Sequence, residues 1–211
     1  MHPKTSCIKG LYAVTSDSAD SADLLQRVRL ALAGGAQVLQ YRNKSAAAAL
    51  RLKQALALRQ LTHEFDATFI VNDDIQLALQ VQADGVHLGA LDDDISTARE
   101  VLGGDKIIGI SCYNRLSLAR DAARAGADYV AFGAFFFSAI KPDAVVAEIN
   151  LLQQARAELD LPLVAIGGIT VHNGAALIAA GADALAVISA LFDAADITAA
   201  AQDFSKLFIQ D

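Results

Sequence analysis

Eight short runs of β-forming character alternate with eight helical patterns along the chain, and no other feature limits the fold as strongly. The strand-like runs cover residues 8–14, 37–41, 68–71, 85–88, 106–110, 129–132, 163–166 and 184–188. The helical stretches cover 22–33, 46–63, 75–81, 95–102, 116–125, 145–159, 173–180 and 193–208. Strands separated by helices pair in parallel through right-handed crossovers. Eight units predict an α/β fold with one domain over residues 1–211, a (β/α)8 TIM barrel; an open doubly wound sheet is the competing architecture. The length of 211 residues sits near the lower end of the roughly 200 to 400 such barrels use, so a large inserted domain is not expected.

An internal repeat agrees with this. Gly35-Ala36-Gln37, Gly126-Ala127-Asp128 and Gly181-Ala182-Asp183 each follow a helix and start a strand, and Gln82-Ala83-Asp84 is a fainter copy. Glycine suits the left-handed position that ends a helix. The repeat speaks to fold and not to function.

Apolar residues make up 54% of the chain, enough to bury a large core and to exclude intrinsic disorder. Seventeen Lys and Arg against 24 Asp and Glu leave a net charge of −7, which argues against bulk electrostatic binding of nucleic acid. A few local cations can still hold an anionic small molecule. Cys7 and Cys112 form neither a disulfide framework nor a metal-spacing motif, and a reducing, cytoplasmic setting is expected. The apolar run at 8–14 is too short for a signal peptide, and no run is long enough for a membrane span.

In a TIM barrel the working face lies at the C-terminal ends of the strands. Strand two ends Gln40-Tyr41-Arg42-Asn43-Lys44, and alternation puts Gln40, Arg42 and Lys44 on one face. If that face looks inward, an amide and two cations line the mouth, where they require an anion or carboxylate partners; a solvated strand end is the plainer alternative. Strand three ends in Asn72-Asp73-Asp74, and strand four runs on into Asp92-Asp93-Asp94. Asp74 and Asp94 read as helix caps, and Asp73 and Asp92 as candidate Mg²⁺ ligands completed by substrate phosphate and water.

Strand five ends at Ser111 and Cys112, and Cys112 has no motif partner that would make it a nucleophile. The loop after strand six, Phe135-Phe136-Phe137-Ser138-Ala139-Ile140-Lys141, reads as a substrate cover with Lys141 as an anion ligand, or as a hydrophobic plug. Strands seven and eight end in Gly167-Gly168 and in Ile188-Ser189, where such barrels often form a phosphate site; Ser189 opens a short helix. His87 reads as a packed interior residue, and His2, His63 and His172 lack metal-ligand spacing. The inventory describes two anion sites at one mouth.

Taken together, LQYRNK at 39–44, FIVNDDIQLA at 69–78, ADGVHLGALD at 83–92, GIS at 109–111, DYVAFGAFFFSAIKPDA at 128–144, VAIGGI at 164–169 and ALAVISAL at 184–191 resemble the thiamine-phosphate synthase family over nearly the whole chain. The resemblance implies a transferase that joins a hydroxymethylpyrimidine diphosphate to a thiazole phosphate, plain or carboxylated, and releases pyrophosphate. It implies that Gln40 hydrogen-bonds the pyrimidine, that Arg42, Lys44, Asn72, Ser111 and Lys141 hold the diphosphate, and that Asp73 and Asp92 bind Mg²⁺. It further implies that Ser138, Gly168, Ile188 and Ser189 surround the thiazole phosphate, and that Arg42, Lys44, Ser111 and Lys141 are the catalytic set. The departures are Phe137 for a proline and Ile140 for a threonine in the family's loop, and Ala90-Leu91 for Gln-Glu before Asp92. The partners expected are these small molecules, with no nucleic acid or membrane, and a homo-oligomer is compatible with the reading. The competing functions are a thiazole tautomerase-like homologue and a non-catalytic sensor of a phosphorylated ligand.

Overall fold

The computed structural model describes residues 7–89, 94–137 and 145–209. In chain order the elements are β1 Gly10–Val14, α1 Ser21–Ala33, β2 Val38–Tyr41, α2 Ala48–Glu64, β3 Thr68–Asn72, α3 Ile75–Gln80, β4 Gly85–Leu88, α4 Ile95–Leu102, β5 Ile107–Tyr113 and α5 Leu116–Arg124. They continue with β6 Tyr129–Phe132, α6 Asn150–Glu158, β7 Leu163–Ile166, α7 Gly174–Ala179, β8 Ala184–Val187, α8 Ser189–Phe192 and α9 Ile197–Lys206. All neighbouring strands pair in parallel and β8 returns to β1, which closes the barrel and removes the open-sheet alternative. Among the described residues, no helix is long and apolar enough to cross a membrane.

Strand residues alternate between two cores. Tyr12, Val38, Ile70, Tyr129, Val164 and Ala184 point into the barrel, whereas Leu11, Leu39, Phe69, Val71 and Val130 pack outward against the helices. The helix stripes complete the outer layer, for example Leu24, Val28, Ala31 and Leu32 of α1.

The glycine repeat has a structural counterpart. Gly35, Gly126 and Gly181 have φ of 105°, 92° and 112°, and Gln82 in the fainter copy adopts 52°. The acidic residue that follows performs one task three times. Asp84 accepts from the Phe69 N–H and from Arg59, and Asp128 from the Ile108 N–H and from Arg99. Asp183 likewise accepts from the Leu163 N–H and from Arg156. Each carboxylate ties the start of one strand to the strand before it and to a helix arginine. We expect Asp128→Ala to destabilise the fold by about 1–2 kcal/mol, because a backbone N–H at 2.8 Å loses its charged acceptor. This sits at the N-terminal ends of the strands, so turnover per folded molecule should hold. Urea unfolding together with an activity assay at low temperature checks both halves.

Three elements differ from the sequence expectation. Strand β5 runs to Tyr113, with a register irregularity between Ser111 and Tyr113, which brings Ser111 into the sheet. The helix expected over 145–159 begins at Asn150, because the segment before it pairs with the β6 loop: Ala134 N–H donates to Val145 O and Ala147 N–H to Ala134 O. The last helix, expected over 193–208, begins only at Ile197, where the Asp196 side chain caps α9 on the Ala199 N–H, and α8 is the short helix expected to open at Ser189.

Candidate active site

The end of β2 is built by the loop after β1. Thr15 N–H extends the ladder onto Gln40 O at 3.0 Å. Its hydroxyl accepts from the Arg42 N–H and donates to Arg42 O, both at 2.9 Å. Two residues on, Asp17 accepts from Arg42 Nη1 at 3.0 Å and from the Lys44 and Ser45 N–H groups at 3.1 Å each. Partial burial pushes the Asp17 carboxyl up, but the Lys44 N–H, Ser45 and the Arg42 guanidinium outweigh it and hold it below its ordinary value. Gln54 of α2 locks this arrangement from behind, accepting from Tyr41 Oη at 2.7 Å and from Asn43 Nδ2 at 3.0 Å while donating to Ser18 O at 3.1 Å.

Both cations expected at the end of β2 therefore have carboxylate partners. Arg42 has Asp17, and Lys44 Nζ lies 2.8 Å from Asp73 Oδ2. Asp73 sits just past β3 at φ 62°, a left-handed conformation sparsely used by non-glycine residues and concentrated at functional sites. Its N–H bonds His87 O at 2.9 Å, which extends the β3–β4 ladder, and the chain then turns with Asp74 N–H on Asn72 O at 2.8 Å. Asn72, half-buried, closes β3 opposite His87 of β4. Asp74 and Asp94 are caps, on the Leu77 and Thr97 N–H groups at 2.9 and 2.7 Å.

Gln40 points inward and is buried. Ser111 of β5 meets His87 of the neighbouring strand β4, with Oγ 2.9 Å from Nε2. Burial lowers the His87 pKa to about 4, although the nearby Asp73 charge acts in the opposite sense, so the ring is neutral at pH 7. Burial pushes the Cys112 thiol up to about 12, which removes it as a thiolate nucleophile.

Across the mouth, a pocket of about 220 Å³ is lined by Gly167, Gly168, Ile169, Thr170, Ile188 and Ser189 with neighbouring backbone. Gly168 has φ 62°, and a Cβ there would lie 2.3 Å from Phe137 O. Only glycine fits a turn pressed this closely against the β6 loop. Ser189 opens α8, a helix of four residues.

Gln40, Arg42, Lys44, Asn72, Asp73 and Ser111 thus lie at the C-terminal ends of β2, β3 and β5, and Gly168, Ile188 and Ser189 at those of β7 and β8. Asp92, Ser138 and Lys141, together with Ile140, lie outside the described residues. Sequence reasoning missed Asp17, Thr15, Tyr12 and Tyr129. The Asp17 signal was present as one more acidic residue after a strand, but a Ser/Asp-rich segment before a helix reads first as capping, and Asp20 does cap α1.

Comparison with known proteins places the chain in a family. The chain is 57% identical over 201 residues to the thiamine-phosphate synthase of Methylobacillus flagellatus, covering 95% of this chain and 96% of that one. It is 55% identical to that of Azoarcus sp. strain BH72, over 95% and 98% of the two chains. The solved thiamine phosphate pyrophosphorylase from Pyrococcus furiosus superposes with a TM-score of 0.86 at 36% identity, over 97% of this chain and 96% of that one. The family model for thiamine monophosphate synthase matches residues 11–191, and with the relatives it establishes that the chain belongs to the thiamine monophosphate synthase family.

Proposed function

We propose that this mouth joins a hydroxymethylpyrimidine diphosphate to a thiazole phosphate and releases pyrophosphate. One observation carries the reading: a cationic, carboxylate-paired anion site on β2, β3 and β5 faces a glycine-lined pocket on β7 and β8 within one barrel mouth. The first suits a diphosphate and the second a monophosphate. Gln40 orients the pyrimidine; Arg42, Lys44, Asn72, Ser111 and Lys141 hold the diphosphate; Ser138, Gly168, Ile188 and Ser189 receive the thiazole phosphate.

The mechanism requires no base–nucleophile pair. The bond between the pyrimidine methylene carbon and the bridging oxygen breaks, and its electrons leave with pyrophosphate. The electron-rich aminopyrimidine stabilises the cation left behind. The thiazole nitrogen lone pair then forms the new C–N bond. Arg42 and Lys44 offset the charge that grows on the leaving oxygens, and Ser111 adds a hydrogen bond, so catalysis is electrostatic and positional. Lys44 must turn from Asp73 to the diphosphate for this, which exchanges one anionic partner for another.

Asp73 also fits Mg²⁺. It is a hard oxygen donor, 28% exposed and already facing a cation, the Lys44 ammonium. Asp73 with Asp92 would hold the ion beside the diphosphate, where it supplies charge neutralisation for the leaving group.

The test supplies both substrates and Mg²⁺ and follows pyrophosphate and thiamine phosphate together. Pyrophosphate release that depends on the thiazole phosphate is the expected outcome. Isomerisation of a thiazole without pyrophosphate would support a tautomerase-like activity instead, and binding without any turnover would support a sensor.

A further inference from the structure

A line of polar side chains crosses the barrel interior and joins the two ends of the pyrimidine diphosphate site. Gln40 Nε2 donates to Tyr12 Oη at 2.8 Å, and the Tyr12 and Tyr129 hydroxyls are 2.8 Å apart. Tyr129 Oη is 2.9 Å from His87 Nδ1, and His87 Nε2 is 2.9 Å from Ser111 Oγ. The four bonds run from β2 through β1, β6 and β4 to β5. Tyr12 and Tyr129 are buried to within 1% and His87 to within 8%. The neighbouring strand β5 makes room for them, because a Cβ at Gly109, which pairs with Tyr129, would lie 2.0 Å from Tyr129 Cζ. His87 and Tyr129 also stack, with centroids 5.5 Å apart and planes inclined by 24°.

The chemistry of the members gives the line one sense. The Gln40 amide nitrogen can only donate, and each phenol has a single proton. A neutral imidazole has one N–H and one acceptor nitrogen. With Tyr12 accepting from Gln40, its proton goes to Tyr129, the Tyr129 proton to His87 Nδ1, and the Nε2–H to Ser111. With Gln40 Nε2 on Tyr12 Oη, the reverse sense leaves the Tyr12 proton without an acceptor among the described residues, at a buried position; it would require the Gln40 amide turned over to present Oε1. In the forward sense every inner donor is used, and the Ser111 proton remains for a ligand.

We propose that Tyr12, Tyr129 and His87 are positioning residues that hold His87 as its Nε2–H tautomer and turn the Ser111 hydroxyl proton toward a bound anion. They touch neither reacting atom. Their effect is to make Ser111 a committed donor, a bond that strengthens as negative charge builds on the leaving group. The other end keeps the Gln40 amide in one orientation, with its nitrogen inward and its oxygen as the acceptor turned to the pyrimidine. That the anion is the diphosphate rests on the function proposed above; the direction of the chain does not.

The tautomer is read directly. Ring-nitrogen NMR of ¹⁵N-labelled, ligand-free protein should show His87 Nε2 protonated and Nδ1 unprotonated. Its signals are identified by their loss in His87→Gln or, if that variant does not fold, by their shift in Ser111→Ala. The second measurement is a double-mutant cycle read by calorimetric binding of inorganic pyrophosphate at one fixed Mg²⁺ concentration. Tyr129→Phe should weaken binding about fivefold, the worth of one hydrogen bond, and should have no further effect in a Ser111→Ala background. Tyr12→Phe is the replacement variant if Tyr129→Phe does not fold. An Nδ1–H tautomer in the wild type overturns the proposal, and so does an undiminished Tyr129→Phe effect when Ser111 is absent. Because the tautomer needs no substrate, a protein that shows it but forms no thiamine phosphate defeats the functional reading alone.

Discussion

Arg42→Ala and Lys44→Ala are each expected to lower kcat/KM for the pyrimidine diphosphate by roughly 10- to 150-fold, the equivalent of about 1.5–3 kcal/mol for a hydrogen bond to a charged group. Arg42 is well placed for this because its backbone is clamped by Thr15 on both sides and its guanidinium is anchored at one nitrogen by Asp17. An anchored fork loses little further freedom on binding and retains donors for phosphate. Lys44 has a 56% exposed side chain, so its contact with Asp73 is solvent-screened and cheaply exchanged for a ligand oxygen. For the same reason Lys44→Ala should lose little thermal stability. Steady-state kinetics at saturating thiazole phosphate decide the matter: unchanged constants in both variants would remove the β2 end from the diphosphate site. The thiazole KM serves as the control, because the β7–β8 pocket lies across the mouth and keeps its lining.

The second large effect concerns the metal. Asp73 and Asp92 offer too few oxygens for an octahedral Mg²⁺ cage, and Lys44 already neutralises Asp73 at 2.8 Å. Mg²⁺ should therefore bind weakly to the ligand-free protein and strongly once pyrophosphate draws Lys44 away and contributes its own oxygens. Linkage then requires Mg²⁺ to tighten pyrophosphate binding by the same factor, and couplings of this kind typically span about 5- to 150-fold. Asp73→Ala should abolish most of that enhancement while thiazole phosphate, proposed to bind in the β7–β8 pocket that Asp73 does not line, binds as before. Lys44→Ala should act in the opposite direction on the ligand-free protein and raise its Mg²⁺ affinity, since the competing ammonium is gone. Calorimetric titrations of pyrophosphate with and without Mg²⁺, corrected for the free Mg²⁺–pyrophosphate complex, measure this. Equal enhancement in wild type and Asp73→Ala would assign Asp73 to turn geometry alone, the role its φ of 62° already serves.

Much of the fold can be read locally. Strand–helix alternation needs only the hydrophobic period of each segment, and eight parallel units close because a shorter sheet would leave edges and uncovered faces. The period of two along β2 likewise places Gln40 inward and the cations beyond it, and Asp74 and Asp94 announce themselves as caps by position alone. The helix expected from 145 begins only at Asn150 for the complementary reason. Its helical pattern is real, but the backbone of Val145 and Ala147 bonds Ala134, a partner distant in the chain that no periodicity shows.

What the sequence alone determined was the eight-fold strand–helix alternation of a parallel α/β sheet, the strand ends that carry its working face and the residue types there, whereas closure rests on the pairing of β8 with β1. Tertiary structure decided which of them meet. Arg42 finds Asp17 across 25 residues because β1 and β2 pair in register, and Tyr12 finds Tyr129 across 117 because barrel closure brings inward side chains of separate strands to one level. Whether a cation faces a carboxylate or a ligand, and whether a buried tyrosine is filler or part of a hydrogen-bonded line, depends on strand register and on space cleared elsewhere, as at Gly109. Those are sums over the whole barrel, and a single segment carries only its own term.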